Sequence, residues 1–319
     1  MKIAKVIFIN IVVILIALCC VEVYFHKIIF DKYAKYMPEE VVSIGSLKFL
    51  KYHRAKITDF EEQKKEFRPT SYKNGNKGAV ILFGCSYTYG TWLKDDETFS
   101  KKLSDYTGRT VYNRAFPTVA VPFMYYQFEN NLVKKEYYQF ENNLVKKDIP
   151  SADFIVYTLT EEHLAKISTN RGWILAPELQ ITYELKNDKL QKKKILFPLI
   201  YSTYSSIAIQ EKIKNEAWGK RKYELIIEKL LDKSFELAKK DYPNAQIVLF
   251  VFDDKNWGGV CTQEFLDYLK NADYRVVWLS DLLGYKLSDK DCYVQDNFHP
   301  SAKAWDIIVP KFADELQLK

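Results

Sequence analysis

Ala79-Val80-Ile81-Leu82-Phe83-Gly84-Cys85-Ser86-Tyr87-Thr88-Tyr89-Gly90 is the stretch that decides the fold class of this chain. An unbroken apolar run of strand length, with no alternation of polar residues, predicts a strand buried on both faces, as in a parallel sheet. Gly84 lets the chain turn sharply at its end, so Ser86 falls at the carboxyl end of the strand, where ligands bind in open parallel sheets. A helix is expected to follow from about Asp96. Working outward, further runs of strand length occur at Thr110 to Asn113, Phe154 to Leu159, Ile247 to Phe252 and Arg275 to Leu279, separated by helix-like segments. The clearest helix is Tyr223 to Ala238, where Tyr223, Ile226, Ile227, Leu230, Leu231 and Ala238 recur at helical spacing and Pro243 marks the end. Strand alternating with helix predicts an α/β domain whose parallel sheet is covered on both faces.

Composition agrees with a folded domain and excludes several classes. With 48% hydrophobic and 28% charged residues among 319, and only 11 Gly and 10 Pro, the chain can bury a core and lacks the bias of a disordered or collagenous protein. The net charge of +6 comes with acidic residues scattered among basic ones, so no dedicated nucleic-acid surface is expected. The five cysteines form no C-x-x-C pair or metal-ligand spacing, so neither a disulfide framework nor a zinc site is expected; no cofactor is expected either.

The amino-terminal end reads differently. Val6 to Val21 carries no charge, and with Val23, Tyr24 and Phe25 the apolar segment reaches about 20 residues, the length of a membrane-crossing helix. An uncleaved anchor over 6–25 is therefore expected, against the competing readings of a cleaved signal or a buried helix. The only small-x-small site, Ala17-Leu18-Cys19, matches a cleavage signal poorly. Lys2 and Lys5 on one side face Lys27, Lys32 and Lys35 on the other, so the charge rule nearly ties. The expected organisation is an anchor (1–25), a juxtamembrane stalk (26–75), in which Val41, Val42, Ile44, Leu47, Phe49 and Leu50 could form a helix, and one α/β domain (76–319). The irregular stretch from Asn170 to Leu199 reads as an insertion over one edge of the sheet. Tyr125 to Lys135 recurs letter for letter at Tyr137 to Lys147, a local duplication with a period of 12 residues. If both copies were helical, their apolar stripes would lie about 120° apart, so the second unit should project from the domain or pack on something else, such as the Asn170 to Leu199 insertion, a second chain or the membrane surface.

A serine hydroxyl is a weak nucleophile until a base takes its proton. Of the four histidines, His26 borders the anchor, His53 lies in the stalk, and His163 follows the third strand. His299 has company, in Asp296-Asn297-Phe298-His299-Pro300. A carboxylate three residues ahead can hold the Nδ1 hydrogen and leave Nε2 to act as base, which assigns Asp296 and His299 complementary roles. Cys85 is a poor nucleophile, since neighbouring residues on a turn point different ways. The Asp253-Asp254 pair reads as solvated or capping. An α/β-hydrolase elbow would need a glycine where Thr88 stands.

Gly84-Cys85-Ser86 and Asp296 to Pro300 together resemble the first and last blocks of the SGNH (GDSL-like) hydrolases, over about Asn76 to Lys319. The resemblance implies a flavodoxin-like three-layer α/β/α fold and places Ser86, Asp296 and His299 on the triad positions. It further implies ester chemistry, often on acylated sugars or lipids, and export with the domain facing the envelope. For the oxyanion it implies the amides of Ser86 and, in the second block, Ala115. The third block's asparagine is missing, since Thr160-Glu161-Glu162-His163 follows the third strand; losing one such donor typically costs about 100 to 1000-fold in rate. His163 could reach the mouth of the site. The expected function is hydrolysis of O-acyl groups on envelope glycans, with an O-acyltransferase or an inactive, tethered glycan-binding protein as alternatives. The expected partners are an acylated substrate and a bilayer.

Overall fold

The computed structural model describes residues 10–24, 41–44, 47–50, 68, 70–71, 73, 77–117, 121–140, 143–149, 151–161, 163–164, 183–187, 189–192, 217–253, 261–285, 287, 290–294 and 299–318. Five parallel strands make the central sheet: β1 (Ala79–Phe83), β2 (Val111–Asn113), β3 (Ala152–Thr160), β4 (Gln246–Phe252) and β5 (Arg275–Trp278). Their order across the sheet is β2-β1-β3-β4-β5, every pair parallel, which is the flavodoxin-like doubly wound arrangement. Each of the five apolar runs in the sequence is one of these strands.

The helices are α1 (Ser86–Tyr89), α2 (Phe99–Thr107), α3 (Val121–Glu129), α4 (Ala217–Asp241), α5 (Gln263–Lys270), α6 (Leu279–Leu283) and α7 (Ala302–Glu315). Side chains alternate across the pleat, so the strands supply two separate cores. Ile81, Phe83, Ile155, Tyr157, Leu249 and Val251 pack with residues of α3, α4 and α5. Val80, Leu82, Val156, Val248, Phe250 and Phe252 pack on the other face with α2, α6 and α7. Phe99, Trp305 and Phe312 close that second layer, the Phe99 and Trp305 rings stacked at 4.6 Å and the Phe99 and Phe312 rings edge-on at 5.6 Å.

Three expectations need correction. The apolar group from Val41 to Leu50 is no helix: Val41–Ile44 and Leu47–Leu50 pair antiparallel, Val41 opposite Leu50 and Ile44 opposite Leu47. Its positions fit a helical period, but the Gly45-Ser46 dipeptide between two β-prone runs is hairpin chemistry. The domain also begins before residue 76, because Ser71 exchanges both backbone hydrogen bonds with Val111 at the sheet edge (3.1 and 3.0 Å). The insertion carries a hairpin, Tyr183–Lys186 with Lys189–Lys192, that lies over helices rather than the sheet edge: Tyr183 donates to Glu129 of α3 at 2.9 Å. The expected anchor is described only in part: among the described residues no helix is long and apolar enough to cross a membrane. Residues 10–24 are helical, which at 1.5 Å per residue covers about 22 Å of the roughly 30 Å needed; residues 6–9 and 25 of the expected span lie outside the described residues.

The duplicated segment adopts two structures. In the first copy Tyr125 to Glu129 is helical, with Gln127 and Phe128 buried. The second copy forms an antiparallel hairpin of Lys135–Phe140 and Asn143–Asp148. The cause lies just upstream of each copy. Val121-Pro122-Phe123-Met124 precedes the first; Val121 and Met124 are buried against the sheet, Phe123 is buried beside Phe116, and Pro122 sits in the first turn, where it is tolerated. Val133-Lys134-Lys135-Glu136 precedes the second and offers charges that such a core excludes.

Candidate active site

The carboxyl end of β1 runs straight into α1. Gly84 has φ +156°, and a Cβ there would lie 2.3 Å from Thr88 Oγ1 and 2.9 Å from Thr88 Cβ, so only glycine lets α1 fold back this tightly on the strand. Gly90 ends the helix in the left-handed conformation (φ +82°), and its N–H donates to the carbonyls of Ser86 and Tyr87. Ser86 is thereby presented at the first position of α1, 6% exposed. Its own amide is one of the first-turn N–H groups that a helix leaves without an internal partner.

His299 arrives from the far end of the chain. Its carbonyl accepts from Val294 N–H at 2.9 Å, Tyr293 and Pro300 form a bridge, and Ser301 caps α7 by accepting from Ala304 N–H at 3.4 Å. This places His299 Nε2 2.8 Å from Ser86 Oγ, across 213 residues of sequence. Tyr87, 3% exposed, packs its ring 5.3 Å from the imidazole and edge-on to Phe252 at 5.2 Å, so the histidine rests on a wall fixed by β4. When Ser86 Oγ–H donates to Nε2, a neutral imidazole carries its hydrogen on Nδ1. Asp296, expected to accept that hydrogen, lies outside the described residues.

Ala115 does not fit its expected part. Its N–H donates to Asn113 Oδ1 at 3.1 Å, an Asx turn, and the residue is fully buried, so this amide is committed within its own loop. Asn113 also donates through Nδ2 to Thr88 O at 3.0 Å and Ser100 Oγ at 3.2 Å, tying the end of β2 to α1 and α2. Residues 118–120 of the same loop lie outside the described residues.

His163 is fully buried rather than lining the mouth of the site. Its Nδ1 accepts from Thr160 N–H at 3.1 Å and lies 3.4 Å from the Tyr157 hydroxyl, so the ring closes the turn that ends β3. Burial, with Cys85 nearby, pushes the Tyr157 phenol well above its ordinary pKa. Cys85 is itself fully buried, its Sγ 3.9 Å from Thr160 Oγ1, facing away from the position of a nucleophile. Asp253 caps α6, accepting from Ser280 N–H at 2.8 Å and from the Ser280 hydroxyl, as its capping reading anticipated. Among the described residues no group of His, Cys, Asp and Glu could hold a metal ion.

Tyr87, Asn113 and Arg68 were not singled out in the sequence. Tyr87 adjoins the serine but gives no spacing signal, and Asn113 looks like an ordinary strand end. Arg68 lies in a stretch with no periodicity, yet donates to three carbonyls of the serine-bearing turn.

No family model and no curated protein sequence matches this chain. Among solved structures it is similar to a protein of the G-D-S-L family from Desulfitobacterium hafniense DCB-2 (TM-score 0.44, 10% identity, 75% of this chain and 99% of that one). It is likewise similar to the psychrotrophic esterase EstA from Pseudoalteromonas sp. (0.40, 13%, 76% and 97%) and to the acetyl xylan esterase Est2A from the rumen bacterium Butyrivibrio proteoclasticus (0.42, 14%, 77% and 65%).

Proposed function

We propose that this chain is a serine-dependent ester hydrolase. The observation that carries the reading is the 2.8 Å contact between Ser86 Oγ and His299 Nε2 at the carboxyl end of the first sheet strand. A hydroxyl and an imidazole at that distance can act as nucleophile and base. In the proposed reaction Ser86 Oγ attacks the ester carbonyl while its proton passes to His299 Nε2. The same proton then goes to the departing alkoxide, leaving an acyl-serine. Water attacks the acyl carbonyl while its proton passes to His299 Nε2; the C–O bond to Ser86 then breaks, the acid departs, and the same proton returns from Nε2 to Ser86 Oγ. Asp296, three residues from His299, is the proposed acceptor for Nδ1–H and stabilises the imidazolium. The amide of Ser86 is the proposed oxyanion donor. With Ala115 N–H occupied, a second donor has to come from another group.

The proposed substrates are O-acyl groups on envelope carbohydrate, with the domain exported and the apolar amino-terminal segment holding the chain to a bilayer. Two observations support the tether: the uncharged run Val6 to Val21, and the exposure of Ile14, Leu15, Ile16 and Leu18 along the helical residues 10–24. Recovery of the chain in the membrane fraction after high-salt washing tests the tether; a soluble chain refutes it.

Labelling with a fluorophosphonate, followed by mapping of the modified residue, tests the chemistry. Modification at Ser86, lost in Ser86→Ala and strongly slowed in His299→Ala, is the expected result. A chain that takes no label and hydrolyses no aryl acetate is instead a binding protein on a hydrolase scaffold. Transfer of the acyl group to an added sugar hydroxyl in preference to water would mark a transferase.

A further inference from the structure

Arg68 grips the far side of the turn that carries Ser86. Its Nε donates to Tyr89 O at 3.2 Å and its Nη2 to Gly90 O at 2.7 Å and Leu93 O at 2.9 Å. Nη1 pairs with Asp95 at 2.5 Å, and the guanidinium lies 4.7 Å over the Tyr89 ring. The side chain is only 17% exposed, so these bonds are partly shielded from water. The turn it gathers is not at rest by itself: Trp92, between the gripped carbonyls of Gly90 and Leu93, holds φ +71°, a left-handed conformation costly for a bulky residue, and is 57% exposed. The same turn is bonded to the nucleophile. Gly90 N–H and Thr91 N–H both donate to Ser86 O, each at 3.0 Å, and Leu93 N–H donates to Gly90 O at 3.1 Å.

A continuous hydrogen-bonded path therefore runs from Arg68 through Gly90 and Leu93 to the Ser86 backbone. We propose that Arg68 is a positioning residue for Ser86, fixing the strained turn so that Oγ stays within reach of His299 Nε2. This rests on the hydrolase reading for its kinetic consequence. The fork geometry matters, because carbonyls on residues 89, 90 and 93 are met by separate N–H groups of one planar guanidinium. The single ammonium of a lysine cannot span them in the same way.

The test compares the full chain with Arg68→Lys and Arg68→Met, using turnover of an aryl acetate and backbone hydrogen exchange of residues 84–95. Arg68→Met should lower kcat about 10 to 100-fold, as for a nucleophile displaced by a fraction of an ångström to 1 Å, with KM changed less than about twofold. Exchange should quicken in residues 86–93 and stay unchanged in β3 and β4. Added guanidinium ion, below unfolding concentrations, should restore part of kcat in Arg68→Met, and Arg68→Lys should fall between parent and Arg68→Met. An unchanged kcat overturns the proposal, as does a loss accompanied by faster exchange throughout the sheet and no rescue by guanidinium. If the parent chain neither turns over ester nor takes a fluorophosphonate, the hydrolase reading fails by itself. Exchange then decides the structural half alone: faster exchange confined to 86–93 supports it, and equal exchange overturns it.

Discussion

Replacing Gly84 by alanine should disable the serine-bearing turn at a stability cost set by two separate terms. The added Cβ would lie 2.3 Å from Thr88 Oγ1, 2.9 Å from Thr88 Cβ and 3.4 Å from Thr158 Cβ. Thr88 and Thr158 are both fully buried, so neither can swing into solvent to make room. Overpacking of this kind costs about 1 to 3 kcal/mol. The φ of +156° is sparsely populated by residues with a Cβ, adding about 1 kcal/mol or more. A total of about 3 kcal/mol is a large share of the roughly 5 to 15 kcal/mol by which domains are stable. With a urea slope of about 3 kcal/mol per M, the unfolding midpoint should drop by about 1 M. Thr88→Ala on the Gly84→Ala background removes the 2.3 Å contact but keeps the 2.9 Å one, so the double variant should be about 1 kcal/mol more stable than the sum of the two single changes predicts. A Gly84→Ala chain with the parent's urea midpoint, or two changes that simply add, would refute the close-packing argument for this glycine.

Three further outcomes follow from other parts of the molecule. Excising Lys135 to Asp148 should leave a cooperatively folding domain with Tm changed by less than about 5 °C, because Ile149 N–H already donates to Lys134 O at 2.8 Å and the chain re-enters where it left; loss of the cooperative transition would show that the hairpin belongs to the core. Asp253→Ala should cost about 1 kcal/mol in chemical denaturation by uncapping α6, and an unchanged midpoint would mean that Ser280 N–H finds another acceptor. Burial foremost, with the charge of Glu224 adding, raises the Cys261 thiol from 9.0 to about 11. The folded chain then holds this proton where the unfolded chain has lost it, so the thiol's contribution to stability is whole below about pH 9 and lost as pH rises through about 11. Iodoacetamide at pH 8 should therefore modify Cys261 only after unfolding, and rapid modification of the native protein would contradict that.

The sheet was legible because its strands are buried on both faces: Ile247 to Phe252 and Phe154 to Leu159 admit no polar residue beyond a tyrosine and a threonine, a pattern that central parallel strands tolerate and that alternation with helical segments turns into an α/β reading. The pairing of Ser86 with His299 was legible for a related reason, since each follows or precedes a recognisable element end. Arg68 and Asn113 were not. Both act on backbone groups brought near by the fold, and a carbonyl has no letter in the sequence. The expected role of Ala115 failed on the same ground, because the competing acceptor is a side chain two residues back whose rotamer no spacing rule fixes. The Val41 to Leu50 group failed because six apolar positions in ten residues satisfy two periods at once.

The repeated eleven residues give the molecule an internal control on what a local sequence can determine. Whatever helix or strand preference resides in Tyr-Tyr-Gln-Phe-Glu-Asn-Asn-Leu-Val-Lys-Lys is the same number in both copies and cancels in their comparison. The difference between a helix at Tyr125–Glu129 and a strand at Tyr137–Phe140 is therefore a pure measure of surroundings. Any rule that reads windows shorter than the repeat must assign both copies one state, and so must be wrong about one of them.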